Sequence, residues 1–170
     1  MASPSGVTMP TVEILEGSVY VLLKGTAVLG QVISVQPQSQ VQSRKLARIG
    51  DTNKTTSYSP AEHSFNVEVY AERDPNEMAA LLGGTAKPVS GGWVGTEQLR
   101  LNPTVAKFDL KIDVYNAATG SGDTKQGTWH IVGFKPTTLN PTIQADAAVT
   151  IQINGECDDI YYQPAAGIGA

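Results

Sequence analysis

Residues 62–84 read "EHSFNVEVYAERDPNEMAALLGG". The first half alternates: Phe65, Val67, Val69 and Ala71 fall on one side of an extended chain, and Glu62, Asn66, Glu68, Tyr70 and Glu72 on the other. That period of two marks a strand with one buried face. The second half changes period. Asp74 suits a helix cap, Pro75 the first helical position, and Glu77 completes a capping box. Met78, Leu81 and Leu82 then form an apolar face, and Gly83-Gly84 stop the helix. A strand running straight into one short helix is the local unit around which the remaining sequence must be arranged.

Outward from this unit the text is strand-like. "SVYVLLKGTAVLGQVISVQ" at 18–36 is rich in β-branched residues, with Lys24-Gly25-Thr26 as its turn. Its first part is apolar on both faces, as expected of a strand covered on both sides. "VAKFDLKIDVYNA" at 105–117 alternates cleanly, with Phe108, Leu110, Ile112 and Val114 inward and Lys107, Asp109, Lys111, Asp113 and Tyr115 outward. "TWHIVGF" at 128–134 is a further strand, "KPTTLNPT" at 135–142 reads as a proline-rich link, and "AAVTIQINGECDDIYYQ" at 147–163 supplies one or two last strands around Asn154-Gly155. Residues 84–105 are punctuated by Gly and Pro and resist assignment, although Trp93 and Val94 are expected to dock. The expectation is an all-β, antiparallel sandwich or barrel of about seven strands, with one short flanking α-helix near residues 74–83. Residues 1–17, broken by Pro4, Gly6 and Pro10, read as an N-terminal arm. Residues 18–163 read as a single β domain, and 164–170 as a flexible tail.

Composition narrows the chemistry. Of 170 residues only 16% are charged and the net charge is −4, which argues against a general nucleic-acid binder. The single cysteine, Cys157, rules out an intrachain disulfide framework and a thiolate metal site. The N-terminal text lacks the basic and apolar regions of a signal peptide, and no apolar run approaches a membrane span. Both point to a protein folded in a reducing cytoplasm, off the membrane.

His63 and His130 lie in separate strands without clustered carboxylates, so structural or surface roles are expected for both. Glu156, Asp158 and Asp159 form the densest acidic group, best read as a solvated turn beside Asn154-Gly155. Asp51-Thr52-Asn53 fails as a calcium loop because the later ligands are missing. Nucleophile elbows, phosphate loops and dinucleotide fingerprints are also absent. No catalytic residue, no metal and no cofactor is expected.

The remaining feature is the polar stretch 41–60, which contains "SRKLARIGDTNKTTSYSP" at 43–60. Four of the chain's twelve Lys and Arg residues (Arg44, Lys45, Arg48 and Lys54) stand there against one acid, Asp51. Aromatic residues for stacking on bases are lacking apart from Tyr58. Leu46 and Ile49 are aliphatics in polar surroundings and need a surface to cover them. A basic loop on an acidic chain matches an acidic patch on a protein partner.

An early apolar hairpin, a long polar loop ending in "GDTNKTTSYSP", the strand "FNVEVYAERDP" running into "NEMAALL", and closing late strands together resemble tail tube proteins of tailed bacteriophages, whose fold is shared with the tube protein of type VI secretion systems. The resemblance spans most of residues 18–163 and rests on layout rather than on an invariant signature. It implies a structural virion protein, assembled in the host bacterial cytoplasm, whose copies form stacked hexameric rings. The lumen of such rings conducts DNA during genome delivery. It also implies that Arg44, Lys45, Leu46, Arg48, Ile49, Asp51 and Lys54 belong to an inter-subunit loop, that Glu62, Glu68 and Glu72 are candidates to face the lumen, and that sheath, baseplate, terminator and tape-measure proteins are possible partners. A solvated outer face explains the same acids equally well. Two alternatives stay open: a lectin-like β-sandwich using Trp93, Trp129, Tyr161 and Tyr162, or another tail component such as a terminator or adaptor.

Overall fold

Thr124–Thr142 forms one strand of 19 residues, and its bend organises the molecule. The computed structural model describes residues 19–29, 32–46, 54–71, 76–84, 99–116 and 124–166. In chain order these contain β1 (Val19–Lys24), β2 (Ala27–Leu29), β3 (Val32–Gln40), β4 (Ser43–Leu46), β5 (Thr55–Tyr58), β6 (Glu62–Tyr70), α1 (Asn76–Leu81), β7 (Phe108–Asn116), β8 (Thr124–Thr142), β9 (Thr150–Cys157) and β10 (Asp159–Pro164). Eight strands form one antiparallel sheet in the order β2-β1-β7-β8-β9-β6-β3, with β10 also on β8, while β4 and β5 pair only with each other.

The early part of β8 lies between β7 and β10, and its later part pairs with β9. The change of direction comes at Gly133. Leu110 pairs with Ile131 and Phe108 with Phe134, so Val132 and Gly133 together face the single residue Asp109. This is a β-bulge, and Gly133 takes a left-handed φ of 65° that only glycine adopts cheaply. The freed N–H of Gly133 donates to Asp109 Oδ1 at 2.8 Å. On the neighbouring strand the chain breaks at Asp158, whose N–H donates to the Val132 carbonyl at 2.8 Å and whose carboxylate pairs with Lys107. Both strands therefore turn the corner together.

Bending lets the two half-sheets share one core. Leu22, Leu110, Ile112 and Ile131 from the first half meet Phe65, Val67, Val69, Ile151 and Ile153 from the second. Phe134, fully buried at the bend, packs edge-on against Phe65 (centroids 5.6 Å) and Phe108 (5.4 Å). Helix α1 buries Ala79, Ala80 and Leu81, followed by Leu82, against this core. Gly83 ends it at φ 85°. Lys24 holds the helix end to β1: its Nζ donates to the Ala80 carbonyl at 2.7 Å and to the Gly84 carbonyl at 3.2 Å, lying 4.1 Å above the Phe108 ring. A cation on the last carbonyls of a helix is favourable both as a cap and toward the helix dipole. Asp74 and Pro75, expected to cap the other end, lie outside the described residues, as do Trp93 and Val94.

Four sequence expectations need correction. The described strands number ten rather than about seven, because the short β2, β4 and β5 carry little periodic signal. "KPTTLNPT" is not a link but the second half of β8. Pro136 and Pro141 are tolerated because that half pairs with β9 on one side alone, where an edge position spares the missing N–H. Asn154-Gly155 is not a turn but mid-strand in β9. Ala71, placed by alternation on the buried face, is exposed just past the end of β6.

Candidate assembly surfaces

The stretch 41–60, read above as a loop, is largely a hairpin. Ser43 pairs with Tyr58, Arg44 with Ser57, Lys45 with Thr56 and Leu46 with Thr55. Its base is closed by Ser59 N–H to the Gln42 carbonyl (2.8 Å) and Gln42 N–H to Ser59 Oγ (3.1 Å). Since β3 and β6 pair up to Gln40 and Glu62, the β4–β5 ribbon continues that ladder beyond the sheet. Every residue of β4 and β5 is exposed, including Leu46 at 43% and Tyr58 at 70%. Two strands with no third partner and no buried face are marginal alone. Arg44, Lys45 and Leu46 therefore lie on the ribbon and Lys54 just before β5, whereas Arg48, Ile49 and Asp51 fall outside the described residues.

Among the described residues the second half-sheet has two margins without a strand partner. Among the described residues β3 pairs only with β6, and the later part of β8 only with β9. Each leaves ladder groups open to a strand from another chain.

Between these margins lies a polar face whose content follows from register. One row across β3, β6, β9 and β8 reads Ser34, Glu68, Gln152, Asn140; the next reads Gln36, Asn66, Asn154, Thr138; a third reads Gln38, Ser64, Glu156, Lys135. Six of these twelve are amides and three carry hydroxyls. Ser34 Oγ donates to Glu68 at 3.5 Å, and Ser64 Oγ to Gln38 at 3.4 Å. Glu62 and Glu68 do share this strand, but amides dominate the surface around them; Glu72 lies outside the described residues. The amides were legible in part, since Gln36, Gln38 and Gln40 recur at a period of two.

The outward acids of β7 find partners within the chain, Asp109 at the bulge and Asp113 on β8. Lys125 approaches Asp113 at 2.8 Å, and Thr128 Oγ1 donates to Asp113 at 2.7 Å. Burial pushes the Asp113 carboxyl up, but these hydrogen bonds and the charges of Lys125 and Lys111 outweigh it and hold the group below its ordinary value. His63 meets Ser39 Oγ at 2.9 Å and lies 3.9 Å from Asp159, while His130 bonds Gln163 at 3.1 Å and stacks on Tyr161. Trp129 packs against Tyr162. Among the described residues no cluster of His, Cys, Asp and Glu could hold a metal ion.

Glu156, Asp158 and Asp159 are spread over the end of β9, the break and the start of β10, and the first two act on Cys157. Burial first, then the charges of Asp158 and Glu156, push its thiol up to about 11. Thiolate is the reactive form, so an upward shift of two units from 9.0 lowers its population about 100-fold near neutral pH. Ellman's reagent at pH 8 is expected to label folded Cys157 about 100-fold more slowly than the urea-unfolded chain; equal rates would contradict the assignment.

An antiparallel sheet folded at a bulged strand, a flanking helix and a projecting ribbon define the tail tube fold, the one shared with tubes of type VI secretion systems. In particular, the chain is similar to the tube-terminating cap of the anti-feeding prophage, with a TM-score of 0.66 and 15% identity over 96% of this chain and 100% of that one. It is similar to a chain of the PVC sheath–tube complex, an extracellular contractile injection system in its extended state (TM-score 0.55, 16% identity, 86% and 88% covered). It is also similar to Hcp1 of E. coli EAEC 042 (TM-score 0.50, 10% identity, 88% and 92% covered). At these identities the likeness is one of fold. No family model and no curated protein matches the chain.

Proposed function

We propose that this chain is a structural, non-catalytic subunit of a phage-type tail tube, whose copies form hexameric rings that stack around a lumen conducting DNA during genome delivery. The observation that carries the reading is the exposed β4–β5 ribbon, which projects from a tail tube fold with Leu46 and Tyr58 uncovered. A low charge density suits a molecule whose surface is taken up by contacts with its own copies. The free margins of β3 and β8 offer lateral partners for neighbours in a ring. Sheath or baseplate proteins would meet the outside of such a tube.

Electron microscopy of the purified protein tests oligomer and symmetry together. Stacked rings or tubes are expected; a species that stays monomeric at every concentration overturns the reading. Deleting residues 44–56 is expected to abolish assembly while the thermal unfolding midpoint moves by only a few degrees, because that ribbon buries nothing in the core. The fold likeness to a tube-terminating cap supports one second reading, a cap that closes a tube. Single rings that never stack would favour it.

A further inference from the structure

Asn154-Gly155 has the composition of a turn but stands mid-strand in β9, and the pair carries a latent chemistry. Asparagine is among the thermolabile residues. The backbone nitrogen that follows it can attack its side chain, and glycine, with no Cβ, presents the least hindered nitrogen. Of the chain's seven asparagines only Asn154 precedes glycine. Asn102 and Asn140 precede proline, which has no N–H to give up. In β9 the attack is blocked. Asn154 faces Asn66 on β6 and Thr138 on β8, and Gly155 faces Phe65 and Pro136, so neighbours hold the pair from both sides. The Asn154 carbonyl also accepts from Thr137 Oγ1 at 3.2 Å. An extended strand directs the Asn154 side chain out of the sheet, whereas the Gly155 nitrogen lies within it. Bringing that nitrogen onto Asn154 Cγ requires turning the backbone between them, and both ladders must open first.

We infer that Asn154 is a self-modification site that the fold keeps shut and the unfolded chain opens, and that a modified chain is barred from refolding. The Gly155 nitrogen attacks Asn154 Cγ, and the new C–N bond closes a succinimide ring. The Cγ–Nδ2 bond breaks, and the Gly155 proton leaves with the side-chain nitrogen as ammonia. Water then opens the ring at either carbonyl. One opening leaves aspartate; the other leaves isoaspartate, in which the main chain runs through the former side chain and gains one carbon. Neither product suits the site. Asn154 Oδ1 is buried without a hydrogen-bond partner among the described residues, so aspartate would put charge on an oxygen that no donor meets. Isoaspartate lengthens β9 by about 1.5 Å, one C–C bond. Gly155 has no slack to absorb this, since even an added Cβ would lie 2.4 Å from the Lys135 carbonyl oxygen. Chains that fold promptly keep the amide, and chains that linger unfolded are marked and lost.

The test ages the full chain at mildly alkaline pH, folded in buffer and unfolded in urea. Peptide mapping by mass spectrometry, with fragmentation that separates isoaspartate from aspartate, follows position 154. A core strand opens only with the whole domain, and a stable domain is unfolded for about 10⁻³–10⁻⁶ of the time. Conversion at Asn154 is therefore expected to be at least about 1,000-fold slower in the folded chain than in urea. A folded-chain rate close to the urea rate overturns the block. Diluting the aged chain out of urea then sorts the products, and isoaspartate at position 154 is expected only in the fraction that fails to refold. Its recovery in folded protein with an unchanged unfolding midpoint overturns the exclusion. Asn154→Gln, whose longer side chain closes a ring far more slowly, is expected to refold after ageing in urea as well as it does before. The same progressive loss of refolding in this variant would place the damage elsewhere and overturn the assignment.

Discussion

Phe134→Ala is expected to lower stability by about 3–5 kcal/mol, read as a shift in the urea midpoint at unchanged slope. Phe134 is fully buried, and its ring fills the angle between the two half-sheets, edge-on to both Phe65 and Phe108. Truncation removes the transfer free energy of the ring and leaves a cavity bounded by strands that cannot move inward. Those strands are held apart by the bulge at Gly133 and by the Asp109 bond to its N–H. Domains of this size are commonly stable by only about 5–15 kcal/mol, so the loss is a large share of the total. A cost under about 1 kcal/mol would mean that the bend collapses onto the gap.

Gly155→Ala is expected to cost about 3 kcal/mol, by the opposite mechanism. A Cβ at 155 would lie 2.3 Å from Phe134 Cε2 and 2.4 Å from the Lys135 carbonyl oxygen. The ring can be displaced, but the backbone oxygen belongs to the β8–β9 ladder and has nowhere to go. Combining Gly155→Ala with Phe134→Leu is therefore expected to recover part of the loss and not all of it. Thermal or urea unfolding of the four chains in this cycle gives the coupling directly. Strict additivity would show that the two sites do not touch.

These two positions also mark what the sequence could and could not convey. Phe65, Val67 and Val69 announced themselves because one face of β6 meets the core while the other does not, and a buried face imprints its period on the text. Gly83 was legible for a similar reason, since a helix needs a residue that accepts a left-handed end. Gly155 misled: next to Asn154 it has the chemistry of a turn, and its true constraint is a ring from a strand some twenty residues away. Pro136 and Pro141 misled for a related reason, because edge status depends on pairing that is not local. The β4–β5 ribbon left no strand pattern because neither of its faces is buried. Its one described aliphatic, Leu46, lies exposed among polar neighbours. Glu62 and Glu68 are legible on the polar side of β6, but the amides around them come together only through register, which joins residues far apart in sequence.

That amide face has a mechanical consequence. Each Gln or Asn both donates and accepts, and a neutral hydrogen bond made in place of one to water nets only about 0.5–1.5 kcal/mol. Bonds to charged groups are stronger, about 1.5–3 kcal/mol, and a polymer caught on them would have to climb out of each well. Along the rows from Ser34 to Asn140 and from Gln36 to Thr138 there is one charge in eight positions. A chain drawn across this surface trades one weak bond for another of the same kind at every step. Were this face to line the lumen proposed above, few wells along these two rows would be deep enough to hold a passing chain, and the surface would suit transit better than retention.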